Sequence, residues 1–94
     1  MILSKEANEL YNKFAENVFN ENCLDSKTKE LIAVSCSVMA DCIPCIEYHY
    51  EKAVIAGAAT DEIAEAVQIA VAVSSGSKRG KYNEIFAKLK KQFK

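Results

Sequence analysis

Thr60-Asp61-Glu62-Ile63-Ala64-Glu65-Ala66-Val67-Gln68-Ile69-Ala70-Val71-Ala72-Val73 is the stretch that decides the fold class. Val71-Ala72-Val73 taken alone reads as strand, but four alanines and a start signal argue for helix. Thr60 is the expected cap, and Asp61 and Glu62 suit the positive end of a helix dipole. Apart from Glu65 and Gln68 the segment is apolar almost all round, which predicts a helix buried on most sides. Ser74-Ser75-Gly76-Ser77 is its expected stop. Downstream, Tyr82, Ile85, Phe86, Leu89 and Phe93 form the stripe of a last helix over about 78–93, despite Gly80. Upstream, Gly57 is a natural end for a helix that starts after Asp41, with Pro44 tolerated in its first turn. A second helix begins at Asp25 or Ser26 and carries Leu31, Ile32, Val34, Val38 and Met39. The first spans about 4–20, with Leu3, Ala7, Leu10, Phe14 and Val18 at helical spacing. The expected fold is all-α, a bundle of about five helices forming a single domain over residues 1–94.

One Pro and three Gly in 94 residues agree with few turns and long elements. Half the residues are apolar, yet a chain of this size buries only roughly 60–65% of its surface. Small residues crowd the second, third and fourth helices (Ala33, Ser35, Ser37, Ala53, Ala66, Ala70), so helices can approach closely within a chain or between copies. A homo-oligomer is therefore expected. The net charge is −1, but from Lys78 onward there are seven Lys/Arg and one acid, against five bases and twelve acids before it. A solvated face on the last helix accounts for this, with cations opposing its dipole, and no nucleic acid is expected as a partner. The opening Met1-Ile2-Leu3-Ser4-Lys5-Glu6 lacks the parts of a secretory signal. No apolar run approaches the ~20 residues of a membrane span. The expectation is a cytoplasmic protein with no membrane partner. In that compartment four cysteines point to free thiols, a metal or redox chemistry.

Cys42-Ile43-Pro44-Cys45, followed by His49, carries the chemistry. On a helix starting near Cys42 the three side chains fall within about 60° of arc. A helix N-terminus stabilises thiolate, and the Cys-Xaa-Xaa-Cys spacing permits reversible disulfide closure. Histidine is the side chain that exchanges protons near neutrality, and this chain has one. A metal site would need Cys36 or Glu30 as a fourth ligand. A second Cys-Xaa-Xaa-Cys is absent, so no metal and no cofactor are expected. The inert alternative is a pair of buried thiols beside a satisfied core histidine. The alignment of all three on one face favours redox chemistry.

The run Glu30…Cys42-Ile43-Pro44-Cys45-Ile46-Glu47-Tyr48-His49…Ala53…Gly57, followed by Asp61-Glu62-Ile63-Ala64-Glu65-Ala66, resembles the alkylhydroperoxidase D-like proteins. These belong to the carboxymuconolactone decarboxylase superfamily. The likeness spans about residues 25–77. It implies an all-α fold assembled as trimers or hexamers and a thiol-dependent peroxidase or disulfide oxidoreductase. Cys45 would be the attacking thiol and Cys42 the resolving thiol, closing a Cys42–Cys45 disulfide, with His49 and Glu30 as the proton relay. The implied partners are a small peroxide substrate and a thiol or dithiol reductant protein. Some members carry a histidine before the second cysteine, where this chain has Pro44, which opens the alternative of dithiol exchange with a partner protein. Another alternative is the lyase activity that named the superfamily, which does not depend on a cysteine pair.

Glu30 by itself reads as a solvated acid near a helix start; only the resemblance assigns it to the relay. Cys23 and Cys36 are expected bystanders, Cys36 inert among Val34, Val38 and Met39. Tyr48 and Tyr50 read as packing residues and Lys52 as surface.

Overall fold

The computed structural model describes residues 2–94, and among these the chain forms five helices and no strand. They are α1 (Lys5–Phe19), α2 (Ser26–Met39), α3 (Ile43–Ile55), α4 (Thr60–Lys81) and α5 (Asn83–Gln92). Ser4 caps α1 and Asp25 caps α2, their side-chain oxygens accepting the N–H groups of Ala7 and Thr28. Among the described residues no helix is long and apolar enough to cross a membrane.

Two boundaries differ from expectation. The fourth helix does not stop at Ser74-Ser75-Gly76-Ser77 but runs on to Lys81, and the fifth starts at Asn83 rather than Lys78. The serines are absorbed: Ser75 Oγ bonds back to the Ala72 carbonyl and Ser74 Oγ reaches Met39 Sδ. No proline blocks the path, Gly76 and Gly80 cost only about 1 kcal/mol each, and Lys78, Arg79 and Lys81 favour the dipole's negative end. The cap of α4 is Ala59, not Thr60, with the Glu62 carboxylate accepting the Ala59 N–H at 2.8 Å.

The same turn chemistry makes both inner corners. At the end of α2 the Asp41 N–H donates to Val38 O and the Cys42 N–H to Ser37 O, each at 3.1 Å, with Asp41 at φ 53°. This is a Schellman motif with Asp41 in the left-handed position. Asp41 therefore closes α2, and the cap of α3 is the next residue, Cys42. At the end of α3, Gly57 and Ala58 donate to Val54 O and Ala53 O, with Gly57 at φ 96°. Nothing lies within 4 Å of where a Gly57 Cβ would stand, so only backbone strain opposes a side chain there. Gly57→Ala is expected to cost about 1–3 kcal/mol, read as a lowered denaturation midpoint.

Helix α2 lies in the middle, with α3 and α4 packed on it. The core where they meet is Val34, Ala53, Ala58 and Ile63, with Leu31 and Val67 against it. Alanines let the backbones close in, so a trimmed methyl has little room to be made good; Ile63→Val is expected to cost about 0.5–1.5 kcal/mol. Ser35 Oγ donates to Ala66 O at 2.6 Å, and Lys27 pairs with Glu62 at 2.9 Å, joining α2 to α4.

The Ala59 N–H, and then Lys27, hold the Glu62 carboxyl below its ordinary 4.5. The Thr28 N–H does the same for Asp25 from 3.8. Both groups bind fewer protons folded than unfolded at acid pH. Their contribution is therefore present above those ordinary values and is lost as pH falls through the depressed ones. Lys27 is raised from 10.5 by Glu62, so its share is present below that value and is lost as pH rises beyond it. Thermal midpoints should fall on acidification from pH ~5 to ~3, and Glu62→Gln should flatten that slope.

The outer helices leave the chain open. Its radius of gyration is 18.7 Å, against about 12 Å for a compact chain of this length. Its accessible surface is 7783 Å², against about 5,400 Å² for a compact monomer of this mass. The almost uniformly apolar α4, expected to be buried on most sides, buries only the face of Ile63, Ala66 and Ala70. Ile69, Val71 and Val73 stand more than half exposed, because one chain of this size has nothing left to cover them.

Candidate redox site

The α2–α3 corner brings Cys42 to the first position before a helix. Its N–H is held by Ser37 O, its carbonyl accepts the Ile46 N–H at 3.0 Å, and its sulfur accepts the Cys45 N–H at 3.3 Å. Pro44 fits the first turn because an N–H there has no helical partner to lose. Cys42 and Cys45 form a disulfide across a Cα–Cα distance of 5.2 Å. The pair thus sits at the positive end of α3, where unsatisfied N–H groups favour negative sulfur.

His49 lies one turn beyond Cys45 on α3. Packing of α2 on α3 brings Glu30 to it, nineteen positions away in sequence, with Oε2 at 2.7 Å from Nδ1. Both side chains are largely shielded, at 18% and 12% exposure. With Nδ1 donating to the carboxylate, Nε2 is left as the basic nitrogen of the ring. The Phe19 ring stacks on the imidazole at 5.2 Å, and Tyr48 meets it edge-on at 5.0 Å. Phe19 is held there from behind: Lys29 Nζ donates to Val18 O at 2.6 Å and Asn20 O at 2.5 Å, clamping the end of α1. The Lys52 ammonium lies 5.5 Å from the centre of the Tyr48 ring.

His49 faces an open cavity of about 500 Å³ whose walls also include Phe19, Ile32, Cys36, Ser37 and Cys45. Cys45 lines it and Cys42 does not, so a molecule entering meets the second thiol beside the imidazole. Cys45 and His49 share the cavity wall, and Glu30 meets His49 from α2. Cys36 is not enclosed by its apolar neighbours as expected: it is free, exposed, and part of the cavity wall. Two residues along a helix is about 200° around it, so fully buried Val34 says nothing of Cys36. Sequence reasoning missed Phe19 and Lys29. Phe19 did carry a signal, since it falls off the stripe that joins Leu10, Phe14 and Val18, whereas Lys29 acts through a tertiary contact that no spacing announces.

Comparison with known proteins places this architecture. The family model for the carboxymuconolactone decarboxylase family matches residues 5–79. Protein 4 of the cox locus of Paracoccus denitrificans, itself uncharacterized, is 36% identical over 72 residues, which is 77% of this chain. The chain spans 65% of that relative's length. A crystal structure from Methanobacterium thermoautotrophicum superposes with a TM-score of 0.80 at 37% identity, covering 86% of this chain and 91% of that one. A Thermotoga maritima protein of the same family, for which a part in an antioxidative response has been suggested, superposes with a TM-score of 0.69 at 26% identity, covering 96% and 99%. With the family model running from α1 into α4, the cysteine pair at the start of α3, Cys45 and His49 on one cavity wall and Glu30 bonded to His49, the chain belongs to the carboxymuconolactone decarboxylase family as an alkylhydroperoxidase D-like member.

Proposed function

We propose that the protein is a thiol-dependent peroxidase, with Cys45, Cys42, His49 and Glu30 as its catalytic residues. The observation that carries this reading is the 2.7 Å bond from Glu30 to His49, whose ring shares the cavity wall with Cys45. In the reduced protein His49 takes the proton of the Cys45 thiol, and Glu30 stabilises the imidazolium that results. The thiolate attacks the distal oxygen of a hydroperoxide; the O–O bond breaks, Cys45 becomes a sulfenic acid, and the alkoxide leaves with a proton from the relay. Cys42, stabilised as thiolate at the helix N-terminus, attacks Cys45 Sγ, water departs, and the disulfide forms. A dithiol protein restores the pair by exchange and is itself oxidised. The largely apolar cavity suits an organic hydroperoxide at least as well as hydrogen peroxide.

Pro44 supports a second reading. It places no imidazole beside the cysteines, so the relay has one ring, and dithiol–disulfide exchange with a partner protein needs no more than that. Steady-state assays with a hydroperoxide and a dithiol reductant separate the two. Peroxide consumed catalytically supports the peroxidase, whereas exchange without peroxide turnover supports the second reading. Consumption of a muconolactone-type acid by a Cys42→Ser, Cys45→Ser variant would instead favour the lyase.

A cytoplasmic location and a homo-oligomer complete the reading. The cytoplasm supplies the reductant, and assembly covers the apolar excess described above. The trimer or hexamer is carried by the family resemblance, and sedimentation at micromolar concentration tests it.

A further inference from the structure

Helix α5 has an apolar stripe without a partner. Tyr82, Ile85, Phe86, Leu89 and Phe93 are all exposed, Phe86 to 67%. In its own chain α5 packs chiefly on the end of α4, which at 22 residues is about 33 Å long. A second unpartnered stripe lies on α1, where Leu10 and Phe14 are exposed to 62% and 64%. That stripe leads through Val18 to the cavity wall, which Leu24 and Ile32 continue.

Charge decides which surfaces pair. From Lys78 to the end, seven bases and one acid leave +6; from Met1 to Asp25, two bases and five acids leave −3. Two copies of α5 repel each other, whereas α5 and α1 attract. The accessible surface of 7783 Å² exceeds that of a compact monomer by roughly 2,400 Å², more than the ~800 Å² that one partner gives to an ordinary interface.

We propose that α5 of a second copy lies along α1, its stripe on Leu10, Phe14 and Val18, and closes the mouth of the cavity that holds Cys45. Each site is then completed by a neighbour, and water is excluded from the thiol by a helix that the same chain does not supply. The inference rests on the homo-oligomer proposed above, but not on peroxidase activity.

Copies labelled with heavy nitrogen, mixed with unlabelled copies in denaturant and refolded together, are treated with a carbodiimide that joins carboxylates to amines. Mixed-isotope links are expected between Glu6, Glu9 or Glu16 and Lys88, Lys90 or Lys91. Phe86→Glu should lower the assembled mass while Phe86→Leu keeps it, and Glu9→Lys with Glu16→Lys should weaken assembly that Lys88→Glu with Lys91→Glu restores. These substitutions lie outside the α2–α3–α4 core, and circular dichroism confirms the helices. An assembly that forms without α1–α5 links, or that ignores Phe86→Glu, overturns this inference and leaves the oligomer standing. A monomer overturns both.

Discussion

His49→Gln is expected to slow oxidation of Cys45 by hydroperoxide by about 10²–10⁴-fold, the usual scale for a lost general acid–base group. Glutamine keeps polarity and much of the volume, so Phe19 and Tyr48 retain a surface to pack on. What it removes is the nitrogen that the proposed mechanism uses to accept the thiol proton. Glu30→Gln should cost less, because its amide can still meet the ring while no longer stabilising the imidazolium. Stopped-flow rates over a range of pH separate the roles. The pH–rate profile of His49→Gln should differ in shape from that of the wild type, and Glu30→Gln should keep the wild-type shape at a lower rate. Rates within twofold of wild type in His49→Gln would remove the imidazole from the mechanism.

Cys45→Ser is expected to abolish peroxide reduction, and Cys42→Ser to leave a sulfenic acid on Cys45 that dimedone traps. Two considerations compete. The Cys42 sulfur accepts the Cys45 N–H at the helix start, which makes it the better-stabilised thiolate. Cys45 lines the cavity beside His49, which makes it the more accessible to a peroxide on the proposed reading. Access governs the first step and thiolate stability the second, since a resolving thiol must attack as an anion and, in reduction by a partner, must leave as one. A dimedone adduct confined to Cys42 in the Cys45→Ser variant, with none on Cys45 in its counterpart, would invert the assignment.

The helices themselves were legible because their stripes and caps repeat locally: Ser4 and Asp25 start α1 and α2 as the sequence suggests. What was not legible depends on contacts made at a distance or on interactions that cancel. The serines after Val73 look like a stop, yet Ser75 bonds within the helix and lets it pass. Asp41 was legible as a break but not as the left-handed residue that ends α2, because its role depends on the corner to Cys42. Cys45 and His49 share a face by arithmetic alone. Glu30 reaches His49 from α2, and only the resemblance pointed to it. The burial expected for α4 fails within one chain, since apolarity says that a surface is to be covered and not by what.

Peptide mapping after one equivalent of hydroperoxide shows whether the Cys42–Cys45 pair cycles with peroxide. Fully reduced protein, treated with a hydroperoxide and alkylated in acid, should lose two hydrogens per chain and yield a single Cys42–Cys45 linked peptide, with Cys23 and Cys36 alkylated. Free, alkylated Cys42 and Cys45 alongside oxidised Cys23 or Cys36 would contradict the account.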